Sequence, residues 1–316
     1  MALPITRRWL LVILVGISFV VLVTLVFHRL SFPSDIDNPS LTNELDTKGR
    51  QNKENCVNKN DNWETINPDD MTAEEIEKYL LWTNQTSCGL THDFGGKMMK
   101  RPSGYDGQKA VCLDKNVAPL PGKCIIYSFG INYEWSFDEA MEQYGCKVFA
   151  FDPSMKTTDY QYSKAISFYN LGLGGKSTKQ ENGWTIKTLS DIYTMLKPIH
   201  SDVVIDYLKI DIEHAEWDTI PNMIESGMLK KVRQMGIEFH LSSGAKLEHF
   251  RNRIKIIRSI EKAGFIRFDS KYNPWFHGKI PGIDSAISMG YEIAWYQHLP
   301  YTNKTNNMGR QTKISH

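Results

Sequence analysis

The sequence has few cysteines and no surplus of charge. Its 316 residues include five cysteines, 37 Lys and Arg residues and 36 Asp and Glu residues, so the formal net charge is +1. The cysteines are too few for a disulfide-framework fold, and none of them form a Cys-x-x-Cys pair of the kind that binds zinc. Lys and Arg are scattered rather than grouped with aromatics, so we expect no nucleic-acid partner. The remaining composition is that of an ordinary globular protein with one large or two small domains.

Two nucleotide-binding patterns are also missing. No Gly-x-Gly-x-x-Gly occurs, so a dinucleotide pyrophosphate has no glycine-lined cradle. The only Asp-x-Asp is Asp35-Ile36-Asp37, in a polar stretch near the N-terminus. A metal-dependent nucleotide-sugar site of a lumenal glycosyltransferase therefore has no evident anchor, and that enzyme class is an alternative rather than the first choice.

An uncharged run near the N-terminus predicts a membrane anchor. Arg7 and Arg8 precede Trp9–Phe27, a run of 19 residues, and Arg29 follows it closely. This length spans a hydrocarbon core of about 30 Å, and it exceeds the apolar region of roughly 7 to 15 residues in a cleavable signal peptide. The basic tail, residues 1–8, should stay cytosolic. We expect a single-pass type II membrane protein of the Golgi or another secretory compartment. A cleaved signal peptide, and hence a secreted protein, is the alternative.

The rest of the chain divides by composition. Residues 28–66 are polar and predict a flexible stem, residues 67–300 predict the folded domain, and residues 301–316 form a polar tail. Thr72, with Glu75 three residues later, has the pattern of a helix-capping box, and the helix should continue to Trp82.

Two further features fit a lumenal location. Asn84-Gln85-Thr86 and Asn303-Lys304-Thr305 are glycosylation sequons, so we expect a glycoprotein. In an oxidising lumen one or two disulfides are plausible. Cys88 and Cys112 are the expected pair, since both lie outside the predicted sheet, whereas Cys124 and Cys146 flank its first two strands and are expected to be buried.

Strands and helices alternate after residue 124. Seven predicted strands begin at Ile125, Val148, Ala165, Val203, Gln234, Phe265 and Tyr291. Four predicted helices cover Ser136–Tyr144, Thr188–Leu196, Trp217–Ser226 and Leu247–Ala263. This alternation predicts a Rossmann-like, doubly wound sheet of seven mostly parallel strands. Residues 92–107 are glycine-rich and predict an irregular segment that either covers the site or merely connects.

The first strand, its glycine turn and the end of the second strand predict a nucleotide site. Gly130 lets a ligand approach the backbone, and the N–H groups of the helix that follows face the same point. Asp152 lies 22 positions after Gly130 and is placed to accept hydrogen bonds from ribose hydroxyls. A single turn glycine with Asn132 and Glu134 suits a ligand that has no pyrophosphate, such as S-adenosylmethionine. Any α/β sheet with an acidic loop residue is the alternative.

A second group of chemical side chains follows the fourth and fifth strands. Asp211 and Glu213 come at the end of one strand, and Glu238 and His240 at the end of the next. Carboxylates crowded at this edge can remove a proton from an acceptor hydroxyl. The same four residues are of ligand type, yet no tight spacing demands a metal, so we predict none.

Four residues near these two groups have more ordinary interpretations. Lys209 should be ion-paired or snorkelling, His214 a loop hydrogen-bonder, and Glu216 the start of a helix, where the helix dipole favours an acid. Trp135 is equally suited to stacking on an adenine and to core packing.

Several segments together resemble a known family. They are Tyr127-Ser128-Phe129-Gly130-Ile131-Asn132, Phe151-Asp152-Pro153-Ser154, Asn170-Leu171-Gly172-Leu173-Gly174-Gly175 and Lys209-Ile210-Asp211-Ile212-Glu213-His214-Ala215-Glu216. The chain resembles the methyltransferase-like protein 24 family over roughly Cys88 to Gln297, and the last segment is similar to that of FkbM-type methyltransferases, in which a glycine takes the place of His214.

The resemblance implies S-adenosylmethionine as cofactor, bound around Gly130, Asn132 and Asp152. The expected cofactor-binding residues are Ser128, Gly130, Asn132, Glu134 and Asp152. The first strand ends in Ser128 where many such enzymes have an acid, so the contact to the methionine amino group is expected either to be missing or to come from Glu134. A bulky residue at Gly130 should then abolish cofactor binding without unfolding the domain.

The expected function is methyl transfer to an oxygen nucleophile of a glycan or a secreted protein. Asp211 or Glu213 would remove the acceptor proton, with Glu238 or His240 assisting. A binding protein on an inactive methyltransferase scaffold is the non-enzymatic alternative.

Overall fold

The computed structural model describes residues 63–84 and 86–301. The predicted anchor, the predicted stem up to residue 62, Cys56 and the sequon at Asn303 all lie outside these ranges. Within them, no helix is both long and apolar enough to cross a membrane.

The helices of the described chain are α1 (Ala73–Leu81), α2 (Ser136–Tyr144), α3 (Leu189–His200), α4 (Glu216–Glu225) and α5 (Leu247–Lys262). The strands are β1 (Thr91–Phe94), β2 (Lys97–Lys100), β3 (Ser103–Asp106), β4 (Lys109–Cys112), β5 (Ile125–Phe129), β6 (Lys147–Phe151), β7 (Tyr160–Gln161), β8 (Ile166–Tyr169), β9 (Gly172–Leu173), β10 (Thr178–Lys179), β11 (Thr185–Lys187), β12 (Ile205–Ile210), β13 (Val232–His240), β14 (Ile266–Tyr272), β15 (His277–Gly278), β16 (Ile287–Ser288) and β17 (Gly290–Tyr296).

Eight of these strands form one mixed sheet in the order β14-β17-β13-β12-β5-β6-β8-β7. The five central strands, from β13 to β8, run parallel to one another. Strand β17 is antiparallel to both β13 and β14, and β7 is an antiparallel edge. From β5 the chain moves outward through β6 and β8, then returns to β12 on the other side. Open α/β sheets bind ligands where the strand order reverses in this way.

The observed sheet therefore has eight strands, one more than the seven that were predicted. Strand β7 has only two residues and no periodic pattern, so the sequence did not indicate it. The predicted third strand is also shorter, because β8 ends at Tyr169 and the following β9 pairs with β11 in a separate three-stranded sheet. The segment 92–107, predicted to be irregular, contains β1 and the hairpin β2–β3.

The sheet is covered on both faces, because alternate residues of its strands point in opposite directions. Tyr127 belongs to a large apolar cluster with α1, α3, α4 and α5. Its neighbour Ile126 belongs to a second cluster, which includes α2, β1 and β4. All residues of β5, β12 and β13 are buried, as expected for strands enclosed on both sides.

The folded domain begins earlier than the predicted boundary at residue 67. Trp63 is buried, and its ring makes an edge contact with Tyr79 of α1 at 5.5 Å. The guanidinium of Arg258 donates hydrogen bonds to the carbonyls of Glu64 and Ile66, which attaches this segment to α5. Residues 63–66 are thus part of the domain rather than of a flexible stem.

Two disulfides bind the described cysteines. The predicted bridge between Cys88 and Cys112 is confirmed. Cys124 and Cys146, which were expected only to be buried, form a second bridge that joins the residue before β5 to the residue before β6. Adjacent parallel strands bring their starting points close together, which the order of the cysteines along the chain does not reveal.

The capping box at the start of α1 is confirmed and can be tested. Thr72 Oγ1 accepts a hydrogen bond from Glu75 N, and Glu75 Oε2 accepts one from Thr72 N. We expect Thr72→Ala to lower the free energy of unfolding by about 1 kcal/mol, because it leaves the Glu75 amide without its intrachain partner. Urea denaturation of the wild type and of the matched Thr72→Ser variant provides the comparison. Equal losses for Ala and Ser would contradict a role for the cap hydroxyl.

Candidate functional site

A cavity of about 850 Å³ opens at the carboxyl ends of β5, β6 and β12. The stacked rings of Phe129 and Phe151, 4.5 Å apart, contribute to its lining. The small sheet of β9, β10 and β11 contributes Trp184 and Ile186 on another side. This first cavity has the size and mixed lining of a site for a cofactor or other small molecule.

Asp152 organises the turn at the mouth of the first cavity. Its Oδ2 accepts hydrogen bonds from Ile131 N at 2.9 Å and Asn132 N at 2.7 Å, and its Oδ1 accepts one from Ser154 N at 2.7 Å. The carboxylate is therefore bound first of all to backbone amides, and the residue is 4% exposed. Sequence reasoning identified the acid but assigned these hydrogen bonds to a ribose. The predicted contact to a ribose hydroxyl stays a prediction.

Gly130 is required by packing as well as by its backbone conformation. Its φ is +80°, and a Cβ built on it would lie 1.6 Å from the carbonyl oxygen of Asp211. The missing side chain thus makes room for the chain that leaves β12. Lys209 strengthens the same junction, since its Nζ donates to the carbonyl of Gly130 at 2.6 Å. The lysine is 4% exposed and holds the turn rather than reaching solvent.

Two pairs of non-glycine residues at this edge adopt left-handed backbone conformations. Asn132 and Tyr133 have φ values of 43° and 63° in the turn after β5. Glu213 and His214 have φ values of 52° and 73° in the turn after β12. Such conformations cost of order 1–3 kcal/mol each and cluster at functional sites. His214 thus lies where the FkbM-type segment has glycine, the residue best suited to that conformation.

A second cavity of about 330 Å³ adjoins the first. Both are lined by Gly130, Asn132, Asp211 and Glu213. The second cavity is also lined by Glu238 and His240 from the end of β13, by Asp106 at the end of β3 and the following Gly107, and by the aromatic residues Trp275 and Phe276. The two cavities therefore meet at the polar residues that follow β5 and β12.

His240 stands at the centre of the polar residues in the second cavity. Its Nε2 lies 4.0 Å from Asp211 Oδ1, 3.7 Å from Glu213 Oε2 and 3.8 Å from Glu238 Oε1. Its Nδ1 lies 2.8 Å from Oε1 of Glu216, which also accepts a hydrogen bond from the backbone N of His240. Glu216 is completely buried, so the ring is held in one orientation from behind.

The electrostatics of this group favour a charged imidazole. Burial lowers the pKa of His240, but the Glu216 carboxylate and then Glu238 and Asp211 outweigh it and raise the pKa to about 9. Burial raises the pKa of Asp211 above its usual range, and the Glu238 carboxylate adds to the rise. A carboxyl whose pKa is raised in this way is closer to the working range of a general base.

A buried lysine lies behind Glu238. Lys109 of β4 is 2% exposed and pairs with Glu292 of β17 and, at 3.8 Å, with Glu238. Burial opposes ionisation of Glu238, yet Lys109 holds the pKa of that carboxyl below its usual value. Burial raises the pKa of Glu292 well above its usual range. Glu238 also accepts a hydrogen bond from Asn273 Nδ2 at 2.8 Å.

The structure brings the four predicted catalytic residues together. Asp211, Glu213, Glu238 and His240 all line the second cavity, although their roles stay predictions. Of the predicted cofactor residues, Gly130 and Asn132 line both cavities and Asp152 lines the first.

Two predicted cofactor contacts do not fit. Ser128 is completely buried in β5 and lines neither cavity, so it cannot contact a ligand held in them. Glu134 lines only the second cavity, and its carboxylate accepts hydrogen bonds from the N and Oγ of Ser136 at the start of α2. Its carboxylate is therefore bound to the first residue of α2, outside the first cavity. Trp135 stacks on Tyr162 with centroids 4.0 Å apart and lines neither cavity, which favours its core-packing interpretation.

Four residues that support the site were either not predicted from the sequence or were predicted in another role. Glu216 was expected only to begin a helix, and Lys109, Glu292 and Asp138 were not singled out. Their signal in the sequence is a charged residue inside an apolar segment, as in Gly-Tyr-Glu-Ile-Ala-Trp-Tyr of β17. Asp138 faces Ser128 beneath the turn, and burial raises its pKa to about 6, although Lys209 and the Ser128 hydroxyl oppose the rise.

The contact between Gly130 and Asp211 changes the expected effect of substituting the glycine. Gly130→Ala should lower the free energy of unfolding by about 2–5 kcal/mol, because the left-handed conformation and the clash with a backbone carbonyl both add a cost. The sequence alone predicts that the domain stays folded while cofactor binding is lost, whereas the contact with Asp211 predicts a loss of stability as well. Gly244→Ala is the matched control, since Gly244 has a φ of +75° and nothing lies within 4 Å of the point that its Cβ would occupy.

Chemical denaturation of both variants measures the difference. Gly244→Ala should cost only about 1–2 kcal/mol, the penalty of the left-handed conformation alone. A Gly130→Ala variant as stable as the Gly244→Ala variant would show that the turn after β5 can move away from β12 without cost.

Known proteins resemble this chain over part of its length. Methyltransferase-like protein 24 of Homo sapiens is 26% identical over 213 residues, which cover 62% of this chain and 57% of that protein. Its relative in Rattus norvegicus is 25% identical over 214 residues, with the same coverage of 62% and 57%. The chain thus spans little more than half the length of these relatives.

A solved chain from Listeria monocytogenes, described as an S-adenosylmethionine-dependent methyltransferase, also matches. The matched region covers 56% of the present chain and 93% of the Listeria chain. Its identity is 11% and its TM-score 0.29, which is too low to support an argument about the fold.

The family comparison covers a larger part of the molecule. The family described as "Methyltransferase domain" matches residues 43–282, which is more than half of the chain. This range contains the turn at Gly130, Asp152 and the four residues around His240. The chain belongs to the methyltransferase-domain family.

Proposed function

We propose that the protein transfers the methyl group of S-adenosylmethionine to an oxygen nucleophile. The main support for this proposal is a pair of adjoining cavities, of about 850 and 330 Å³, that meet at Gly130, Asn132, Asp211 and Glu213. The first is large enough for the donor, and the second, with its carboxylates, suits an acceptor that must lose a proton. The reacting groups would meet at the residues that the two cavities share.

The lining of the first cavity supports a nucleoside-type donor. It combines the aromatic pair Phe129 and Phe151 with Asp152 and Asn132, which gives apolar surface for a base and polar groups for hydroxyls. The donor side of the proposal therefore depends on Asp152 keeping the turn in place while its remaining lone pairs face the ligand.

The chemistry asks little of the protein beyond placement and proton removal. The sulfonium methyl group is already activated, so the protein must align donor and acceptor in line and accept the acceptor proton as a general base. Asp211 is the best-placed base, because it lines both cavities and burial raises its pKa. Glu213, Glu238 and His240 lie within a few ångströms of it and would assist.

We also propose a location in the lumen of the secretory pathway, with a glycan or secreted protein as acceptor. The disulfides Cys88–Cys112 and Cys124–Cys146 support it, because such bonds persist in oxidising compartments. The apolar run of residues 9–27 would anchor the protein there.

Donor binding is tested by filling the first cavity. S-adenosylmethionine at about 100 times its Kd should raise the Tm of the wild-type chain by about 5–10 °C. Ser154 lines the first cavity, so Ser154→Trp should place a bulky ring in it and remove most of this shift. Thermal melting with S-adenosylmethionine, S-adenosylhomocysteine and nucleotide sugars gives the measurement.

The control for this experiment is Ser226→Trp, at the exposed C-terminal end of α4 and outside both cavities. It should melt with the full shift. A shift with nucleotide sugars alone would favour a glycosyltransferase, and no shift with any of these ligands would favour a binding protein on an inactive scaffold. Either result contradicts the proposal.

Turnover is tested at the proposed base. Asp211→Asn removes the proton acceptor while it preserves the shape of the side chain, so we expect methyl transfer to fall by about 10²–10⁴-fold. The exposed Asp284 provides the control, Asp284→Asn, which should leave the rate unchanged. The assay follows label from methyl-labelled S-adenosylmethionine into secretory-pathway extracts.

The linkage of the product decides the acceptor class. Methyl ethers resist alkali, whereas methyl esters of carboxyl groups release methanol, so an oxygen nucleophile of the hydroxyl type predicts alkali-stable label. Alkali-labile label would contradict a hydroxyl acceptor, and an Asp211→Asn variant with full activity would exclude this residue as the base.

A further inference from the structure

Three potential ligand atoms converge where the two cavities meet. One atom each from Asp211, Glu213 and His240 lie within 4.8 Å of one another. We propose that these three residues bind one divalent transition-metal cation. Glu238, whose Oε1 lies 3.8 Å from His240 Nε2, stands beside the site as a fourth polar group.

The distances fit a shared cation better than direct contact. His240 Nε2 lies 4.0 Å from Asp211 Oδ1 and 3.7 Å from Glu213 Oε2. Both separations are too long for a hydrogen bond. Two ligand atoms that are each about 2.0–2.2 Å from one ion lie roughly 3–4 Å apart, depending on the angle between them. The gap in front of Nε2 therefore has the size of a coordination sphere.

His240 has the orientation of a ligand. The residue is 8% exposed, and its Nε2 makes no hydrogen bond to any residue in the described part of the chain. That nitrogen points into the gap because Nδ1 is held by the buried Glu216 carboxylate at 2.8 Å. Metal-binding histidines almost always bind a carboxylate or carbonyl through the other ring nitrogen, which fixes their orientation. Glu216 supplies that support here.

The local charge also favours a cation. Three carboxylates, those of Asp211, Glu213 and Glu238, face the Nε2 side of one imidazole. Lys109 is engaged with Glu292 and Glu238 behind them and makes no ion pair with Asp211 or Glu213 among the described residues. Like charges this close disfavour one another's ionised form. A divalent cation, bound to Nε2 of His240 in place of its proton, would offset that repulsion.

The ligand set selects a class of metal. One imidazole nitrogen with two carboxylates is a mixed N/O set, which suits Mn²⁺, Fe²⁺, Co²⁺ or Zn²⁺ better than the all-oxygen sets that bind Mg²⁺ and Ca²⁺. The other cluster of ligand-type atoms in the described chain, at Cys88, Cys112 and Asp114, has its two sulfurs joined in a disulfide and offers no thiolate.

A role for the cation rests on the proposed function. An acceptor hydroxyl in the second cavity could occupy an open position on the metal, which would lower the pKa of that hydroxyl. With the cation bound, Asp211 would serve as a ligand, so the proton of the hydroxyl would pass to Glu238 instead of to Asp211. The oxygen lone pair would then form the new C–O bond as the C–S bond of the sulfonium breaks, and the electron pair of that bond would remain on sulfur as the neutral thioether.

The binding itself is tested without donor or acceptor. The full chain is stripped of metal by chelation and titrated with Mn²⁺, and free Mn²⁺ is measured by electron paramagnetic resonance. We expect one saturable site per chain. Pulsed measurements on the bound ion should show coupling to one imidazole nitrogen, which carboxylates on the surface would not produce.

Two variants and one control identify the ligands. The Glu213 side chain is 83% exposed, so Glu213→Gln should fold normally and weaken Mn²⁺ binding about 10-fold or more. His240→Gln should abolish the nitrogen coupling. Glu225→Gln, an equivalent change at the exposed end of α4, should leave the affinity for Mn²⁺ unchanged.

Three results would overturn this inference: no saturable binding of Mn²⁺ or Zn²⁺ by the wild type, unchanged affinity in Glu213→Gln, or nitrogen coupling that persists in His240→Gln. Calorimetry of S-adenosylmethionine in the presence of a chelator, run in parallel, separates the two proposals. Donor binding without a metal site would overturn only this inference, whereas a metal site without donor binding would support the cation and contradict the proposed donor.

Discussion

The contact between the turn after β5 and the chain leaving β12 sets the geometry of both cavities. Gly130 lies so close to the carbonyl of Asp211 that no side chain fits between them. Asp152 holds the same turn from the β6 side through the amides of Ile131 and Asn132, and Lys209 holds it from beneath. Three neighbouring parallel strands are thus joined at one point, and this point separates the first cavity from the second.

Buried charge surrounds that point in an ordered arrangement. Carboxylates and the imidazole of His240 face the second cavity. Behind them, Glu216 orients His240 and Lys109 neutralises Glu238 and Glu292. Buried charges are costly unless they are paired, so the burial of Glu216, Glu238 and Lys109 beside the more exposed Asp211 and Glu213 indicates a function rather than a contribution to stability. The same group can hold a cation, a proton or both, which connects the proposed methyl transfer to the proposed metal site.

The match to the methyltransferase-domain family spans the lining of both cavities. The donor side is formed by the turn and strand ends after β5, β6 and β12, and the second cavity is bordered by Asp106 and Gly107 at the end of β3 and by Trp275 and Phe276; the family match covers both sides. The aromatic and acidic lining is compatible with a hydroxyl-bearing acceptor such as a sugar.

Local sequence patterns determined the type and order of most of the main strands and helices of this protein. Apolar runs separated by amphipathic segments predicted the parallel sheet, its helices and the order of the elements, because hydrophobic periodicity is a local property. Turn chemistry likewise located Gly130, and strand ends located Asp152, Asp211, Glu213, Glu238 and His240. The short strands β7 and β9–β11 and the hairpin β2–β3 were not predicted, because they depend on pairing with other segments rather than on a pattern in their own residues.

Only the tertiary structure decided what these residues contact. In the folded chain the Asp152 carboxylate binds backbone amides, and Ser128 and Glu134 lie outside the first cavity. Lys109 and Glu292, 183 residues apart in the sequence, form an ion pair. The tertiary structure also gathered Asp211, Glu213 and His240 from two adjacent strands into one group of ligand-type atoms. A sequence states which groups are available at each strand end, but distances of a few ångströms between them arise only when non-local strands pair and bury their charges side by side.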